Sequence, residues 1–189
     1  FALMVTYGAI TSIQDIVDLR YGRQDYILNN ANGLPLDDLV EMRLFSRYGT
    51  SKTLGYALFD DANPASGFSI AQYDPAALEI TNKQLIDGNF PEKKGEIAIE
   101  NAMLNKLGFD GGIGDTIDLT LMVPDGTGFL GEKFEKSYTL TGILCDQYLY
   151  QMRWREETPV YSDLPAAIVS DQETIEAGGM YITKCYYVF

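Results

Sequence analysis

The sequence contains no histidine. That absence removes the Ser-His-Asp and Cys-His nucleophile systems, histidine as a general base, and most zinc sites. Only two cysteines are present, Cys145 and Cys185, too few for a closed structural zinc site. Sequence leaves open whether they pair, and two buried free thiols is the plainer expectation. No apolar run reaches the ~18 residues that would span a bilayer, and no basic segment followed by an apolar one opens the chain. The phosphate-binding pattern G-x-x-x-x-G-K-[ST] and the nucleophile elbow G-x-S-x-G are both missing. Basic residues are scarce: 14 Lys and Arg against 27 Asp and Glu give a net charge of −13. An acidic surface of this kind repels nucleic acid and anionic headgroups at long range. Nucleic acid is therefore not an expected partner, and no cofactor, metal or catalytic residue is expected.

What remains is an ordinary globular composition, 46% hydrophobic and 22% charged over 189 residues. A chain of this size can bury a core without disulfides or metal. Strand and helix patterns interleave irregularly, which predicts an α+β fold rather than a strict βαβ series. The spacing of Leu36, Leu39, Val40 and Leu44 predicts a helix over Pro35–Tyr48 stopped by Gly49. Strands are expected over 52–59, 68–73, 96–100, 137–144, 166–169 and 181–189, and short helices over 75–80 (after Asp74), after Asn101 (capped by it and ended by Gly108) and over 171–177. Ile117, Leu119 and Leu121 alternate with Thr116, Asp118 and Thr120, the mark of a half-buried strand.

Several local patterns resemble functional motifs. Gly126-Thr127-Gly128-Phe129-Leu130-Gly131 fits G-x-G-x-x-G, but a dinucleotide site needs a helix directly after the glycines. Here Lys133 to Tyr138 leads into a strand, so the run reads as a loop between antiparallel strands. Asp60, Asp61, Asp110, Asp115 and Asp118 are candidates for paired glycosidase-type carboxylates. Their places in loops and on a polar strand face favour turn chemistry, and neither loop has calcium-binding spacing. The one chemically unusual cluster is Tyr148, Tyr150, Arg153, Trp154 and Arg155, residue types enriched where proteins engage partners.

The stretch from Leu85 to Leu121 carries a resemblance. Gly88-Asn89-Phe90-Pro91, Glu96-Ile97-Ala98-Ile99, Ala102 through Leu107-Gly108 and Gly114-Asp115-Thr116-Ile117-Asp118-Leu119 follow one another in order. Leu140-Thr141-Gly142-Ile143 comes after them. This order resembles the ectodomains of FtsX/MacB-like ABC transporter permeases. The opening run Phe1-Ala2-Leu3-Met4-Val5 and the strand-like close at Tyr181–Phe189 suit a segment lying between transmembrane helices one and two. The connection from Asp146 to Asp163 departs from the family pattern, as does the lack of a helix after the last strand.

The resemblance implies an extracytoplasmic, non-catalytic, two-lobed periplasmic-core fold. Residues 1–58 and 143–189 would form a membrane-proximal α/β lobe, and residues 59–142 an inserted, β-rich lobe. It also implies a cytoplasmic ATPase subunit acting through the transmembrane helices, mechanotransmission to an extracytoplasmic protein, peptide or lipid substrate, and a dimeric full-length protein. A surface hydrolase using paired carboxylates and a free-standing adhesion module are the alternatives.

Overall fold

The structure is a computed structural model that describes residues 13–60, 66–123, 133–147, 164–174 and 182–189. Its elements run α1 (residues 13–21), β1 (Tyr26–Asn29), α2 (Leu36–Glu41), β2 (Arg47–Leu58), β3 (Gly67–Tyr73), α3 (Pro75–Ile80) and β4 (Leu85–Gly88). Then come β5 (Glu96–Glu100), α4 (Asn101–Leu107), β6 (Thr116–Met122), β7 (Lys133–Leu144), β8 (Ala167–Val169) and β9 (Ile182–Val188).

Six strands close on themselves. β2 pairs with β3, β3 with β8, β8 with β5, β5 with β7, β7 with β6, and β6 returns to β2. The β3–β8 and β5–β7 contacts are parallel and the others antiparallel. Closure leaves the six strands few free edges. Its interior is filled by Leu54, Ala57, Phe68, Ile70, Ile97, Ile99, Leu119, Leu140 and their neighbours, and Met103 and Leu104 of α4 pack into the same cluster. Beyond the barrel, the first half of β2 pairs with β9 and β9 with β1, forming a three-stranded antiparallel wing. One face of the wing carries Ile27, Tyr186 and Val188, packed with Ala77 and Ile80 of α3 and with Leu164.

Two bulges decide which side chains enter the barrel. On β7, the pairing with β5 slips between Ile97 and Ala98. Tyr138 and Leu140 point inward, but past the slip it is Ile143 that meets the barrel core, while Leu144 joins a separate cluster with Ala98 and Ile168. The single parity expected for Tyr138, Leu140 and Leu144 therefore breaks, because an extra residue turns a strand over. On β2 the slip between Thr53 and Gly55 sits where the strand stops pairing with β9 and starts pairing with β6.

The α+β expectation holds as a mixed fold built around one large mixed sheet. Helix α3 begins after Asp74, whose carboxylate accepts from Ala77 N, and Gly108 ends α4 in the left-handed conformation, both as the sequence predicts. β6 and β7 are antiparallel on either side of the glycine-rich run, which itself lies outside the described residues.

Three local readings are corrected. Helix α2 ends at Glu41 rather than Tyr48. Arg43 takes a positive φ of 57°, and Arg43 N and Leu44 N donate to Val40 O and Leu39 O. That is a Schellman stop with arginine where glycine is usual. Gly49 lies inside β2 instead, where a Cβ would run into the backbone of Ala77. Asn101 is the first residue of α4, and Glu100 holds the N-cap position without a side-chain capping bond; the Asp146 carboxylate accepts from Ala102 N at 2.7 Å. Residues 171–174 form a turn rather than a helix, and 175–177 lie outside the described residues.

Two substitutions should separate these roles. Gly49→Ala forces α3 off β2 and is expected to destabilise the fold by about 1–3 kcal/mol. Arg43→Gly relieves left-handed strain and is expected to leave stability equal or raise it by up to ~1 kcal/mol. Urea unfolding midpoints measure both, and the reverse order would contradict this reading.

Candidate functional site

Two places on the molecule bring chemistry together. The first is the outer face of the wing. Tyr26, Tyr187 and Tyr48 stand opposite one another across β1, β9 and β2. Their facing follows from the two-residue period of the strands, which sends Ile27 and Tyr186 to the other side. Tyr26 and Tyr187 stack at 5.7 Å between centroids, and Phe45 stacks on Tyr187 at 4.9 Å. Phe189 meets both Tyr26 and Tyr187 edge-on. Tyr48 donates to the Asp37 carboxylate at 2.6 Å. That hydrogen bond, with some burial and the negative charge of Asp37, pushes the Tyr48 phenol up to about 12.

The face is aromatic and partly open: Tyr26 is 58% exposed and Phe189 66%. Here the chain leaving α1 and the last strand come side by side, with Phe189 N donating to Asp25 at 2.8 Å and Asp25 N to Tyr187 O at 3.0 Å. A second exposed apolar row, Ile13, Ile16 and Val17, lies on α1.

The second place is a fully buried ion pair. Lys83 Nζ lies 2.9 Å from Glu100 Oε1, and neither side chain reaches solvent. Lys83 comes from the link between α3 and β4, Glu100 from the end of β5. The ammonium also donates to Pro165 O at 2.8 Å. The other carboxylate oxygen accepts from Gln147 N at 3.0 Å. The pair thus holds both feet of the connection between residues 147 and 165. Tyr148, Tyr150, Arg153, Trp154 and Arg155, the cluster singled out in the sequence, lie within that connection and outside the described residues.

Another ion pair, Lys136–Glu173, fixes the turn after β8. Glu173 accepts from Lys136 Nζ and Gly95 N, both at 2.9 Å. Burial alone would raise its carboxyl pKa, but the Lys136 bond and the Gly95 and Thr174 amides outweigh it and hold the group below its ordinary value. Its stabilisation is therefore present at neutral pH and fades as pH falls through the carboxylate range. A small cavity of about 20 Å³ lies beside it, lined by Leu54, Phe134, Lys136 and Tyr138 among others. Such a space takes about one water molecule.

Two of the acids considered as catalytic pairs are engaged locally. Asp115 accepts from Gly112 N within its turn, and Asp118 from Ser137 across β6 and β7. Asp60 lies just past the end of β2, and Asp110 sits exposed after α4. Asp61 lies outside the described residues. Among the described residues no group of three His, Cys, Asp or Glu could hold a metal, and no helix is long and apolar enough to cross a membrane. Cys145 and Cys185 are both free thiols. Burial pushes the Cys185 thiol up to about 11, aided by Asp74.

Sequence reasoning missed Lys83, Glu100 and the Tyr26–Tyr187–Tyr48 row. The row is signalled only once the strand register is known, since its members come from three separate segments. A lone lysine and a strand-end glutamate carry no signal of pairing.

No protein-family model matches the chain, and no curated protein sequence does. Several solved structures are similar to it, including the following two. One is "a domain of a putative permease protein" from Porphyromonas gingivalis, at 13% identity and TM-score 0.39, covering 76% of this chain and 61% of that one. The other is the extracellular domain of the noncanonic ABC-type transporter YknZ from Gram-positive bacteria, at 10% identity and TM-score 0.44, covering 86% of this chain and 83% of that one.

Removing one partner of the buried pair leaves the other charge stranded. Glu100→Gln is expected to cost about 3–5 kcal/mol. Replacing both, Lys83→Met with Glu100→Leu, should recover most of that loss. Chemical denaturation of the three chains checks this, and a double variant as unstable as the single one would contradict it.

Proposed function

We propose that this chain is the extracytoplasmic domain of an FtsX/MacB-like ABC transporter permease. In this reading it is held between two membrane-spanning helices. A cytoplasmic ATPase moves those helices, and the domain passes the motion to an extracytoplasmic protein, peptide or lipid substrate. Differential contacts in the two states supply the coupling. The domain needs no cofactor and breaks no bond, and the full-length protein works as a dimer.

The observation that carries the reading is the antiparallel pairing of β1, the first strand, with β9, the last, where Asp25 just before β1 accepts from Phe189 N just after β9. A domain inserted between two membrane helices needs its entry and exit together. The order of the motifs from Leu85 to Gly142 supports the same reading. The aromatic row at that edge suits a headgroup region, where Tyr rings sit half wet and half apolar.

The division into lobes is part of the same proposal. The wing and α1, drawn from residues 1–58 and 143–189, form the membrane-proximal lobe, and residues 59–142 supply most of the barrel. β2 pairs with both the wing and the barrel, and β8 also joins the barrel. The connection carrying Tyr148, Tyr150, Arg153, Trp154 and Arg155 takes the extracytoplasmic partner.

The topology is tested with Lys93→Cys in a full-length protein whose Cys145 and Cys185 are replaced. A membrane-impermeant maleimide should label residue 93 in intact cells; labelling only after lysis would sink the proposal. For the partner-binding residues, Tyr150→Ala and Trp154→Ala should each change domain stability by less than about 0.5 kcal/mol. Unfolding of the domain by both would make them core and end their assignment to binding.

A further inference from the structure

Residues 145–147 leave β7 and touch a different element at each step. Cys145 N donates to Gln84 O at 2.9 Å. The Asp146 carboxylate accepts from Ala102 N in the first turn of α4. Gln147 N donates to Glu100, and its side-chain Nε2 faces three carbonyl oxygens: Leu19 O at 2.9 Å, Thr81 O at 2.9 Å and Asn82 O at 3.4 Å. Leu19 lies in the last turn of α1, and Thr81 and Asn82 follow the end of α3. These are carbonyls that a helix C-terminus leaves without an intrahelical partner.

One buried amide therefore caps two helices, and the carboxylate beside it caps a third. The amide orientation is fixed, because turning it over would set its oxygen against the carbonyls. Its Oε1 has no hydrogen-bond partner among the described residues, so its bonding in the fold is donation to helix ends.

We propose that Asp146 and Gln147 form a mechanical junction through which a displacement of α1 is passed to α4 and β5, and so to the barrel core that α4 enters. The links are short and rigid. A shift of Leu19 O pulls on the Gln147 side chain, and the Gln147 backbone bears on Glu100 at the end of β5. Asp146, its neighbour, carries the shift to the start of α4. Asn82 Nδ2, which donates to Asp18 O at 3.1 Å, adds a second tie between α1 and the end of α3. What such a junction serves rests on the transporter reading; its existence does not, and it is tested on the domain alone.

Cys145 is the native reporter, half-buried and next to the junction. In a Cys185→Ala chain, its modification by an aromatic disulfide reagent is timed under native conditions. Ile16→Pro breaks α1 at an exposed position and should raise the Cys145 rate about tenfold by opening the junction. In a Gln147→Leu background, already faster, the same change should add less than about twofold, because the tie is gone. An equal factor in both backgrounds, or no change with Gln147 in place, overturns the junction. If the Gln147→Leu chain does not fold, amide exchange at Ala102 and at Ile97 is compared in the Ile16→Pro chain. Faster exchange at Ala102 with Ile97 unchanged supports the proposal; unchanged exchange at Ala102 overturns it.

Discussion

Lys83 and Glu100 carry opposite charges where no solvent reaches, and neither is tolerable there alone. Burying one unpaired ion costs several kcal/mol, of the order of the whole stability of many domains. The pair resolves this by satisfying both groups: the carboxylate takes an ammonium and a backbone amide, and the ammonium takes a carboxylate and a carbonyl. A pair of leucines could fill the same volume with similar energy. What hydrophobic residues could not do is choose Gln147 N and Pro165 O as partners. The charges thus specify which backbone segments meet at this spot, and the meeting sets where the connection from 147 to 165 leaves and returns.

The rest of the architecture arranges itself about that point. The barrel supplies a closed, self-sufficient core, with Ile97, Ile99, Phe68 and Leu140 fully excluded from water. The wing and α1 bury less: α1 shows Ile13, Ile16 and Val17 to solvent, and its last turn is tied down by hydrogen bonds rather than by a packed face. A firm body and a lightly fastened helix are thus joined through a few directional bonds. The aromatic row lies at the end where the chain emerging from α1 runs beside the last strand.

Much of this fold is legible in the sequence where local chemistry decides. Asp74-Pro75 announces α3 because a side-chain oxygen and a fixed φ are both useful at a helix start. Gly108 announces the end of α4, and alternation across Thr116–Leu121 announces β6. Reading fails where a tertiary demand overrides a local signal. Gly49 resembles a helix stop, yet it is glycine because α3 crosses β2 there, and the stop falls to Arg43 in a conformation arginine adopts at a cost. Leu144 shares the parity of Leu140, but the β7 bulge sends it to the other side. Asn101 is a capping residue type but sits one place inside α4, and Asp146, far along the chain, accepts from the first turn instead. The buried pair and the tyrosine row unite residues too distant in sequence for any pattern to join them.

The central claim is that one charged node fastens the outer parts of the molecule to an independently stable barrel. Native-state hydrogen exchange of the Lys83→Met chain, followed residue by residue at low denaturant, tests it most directly. The account predicts that the amides of Ala102 and Gln147, with Gly22 at the end of α1, exchange through a shared partial opening, while those of Ile99, Leu119 and Leu140 keep the protection of global unfolding. Loss of protection in all six together, or in none, would contradict it.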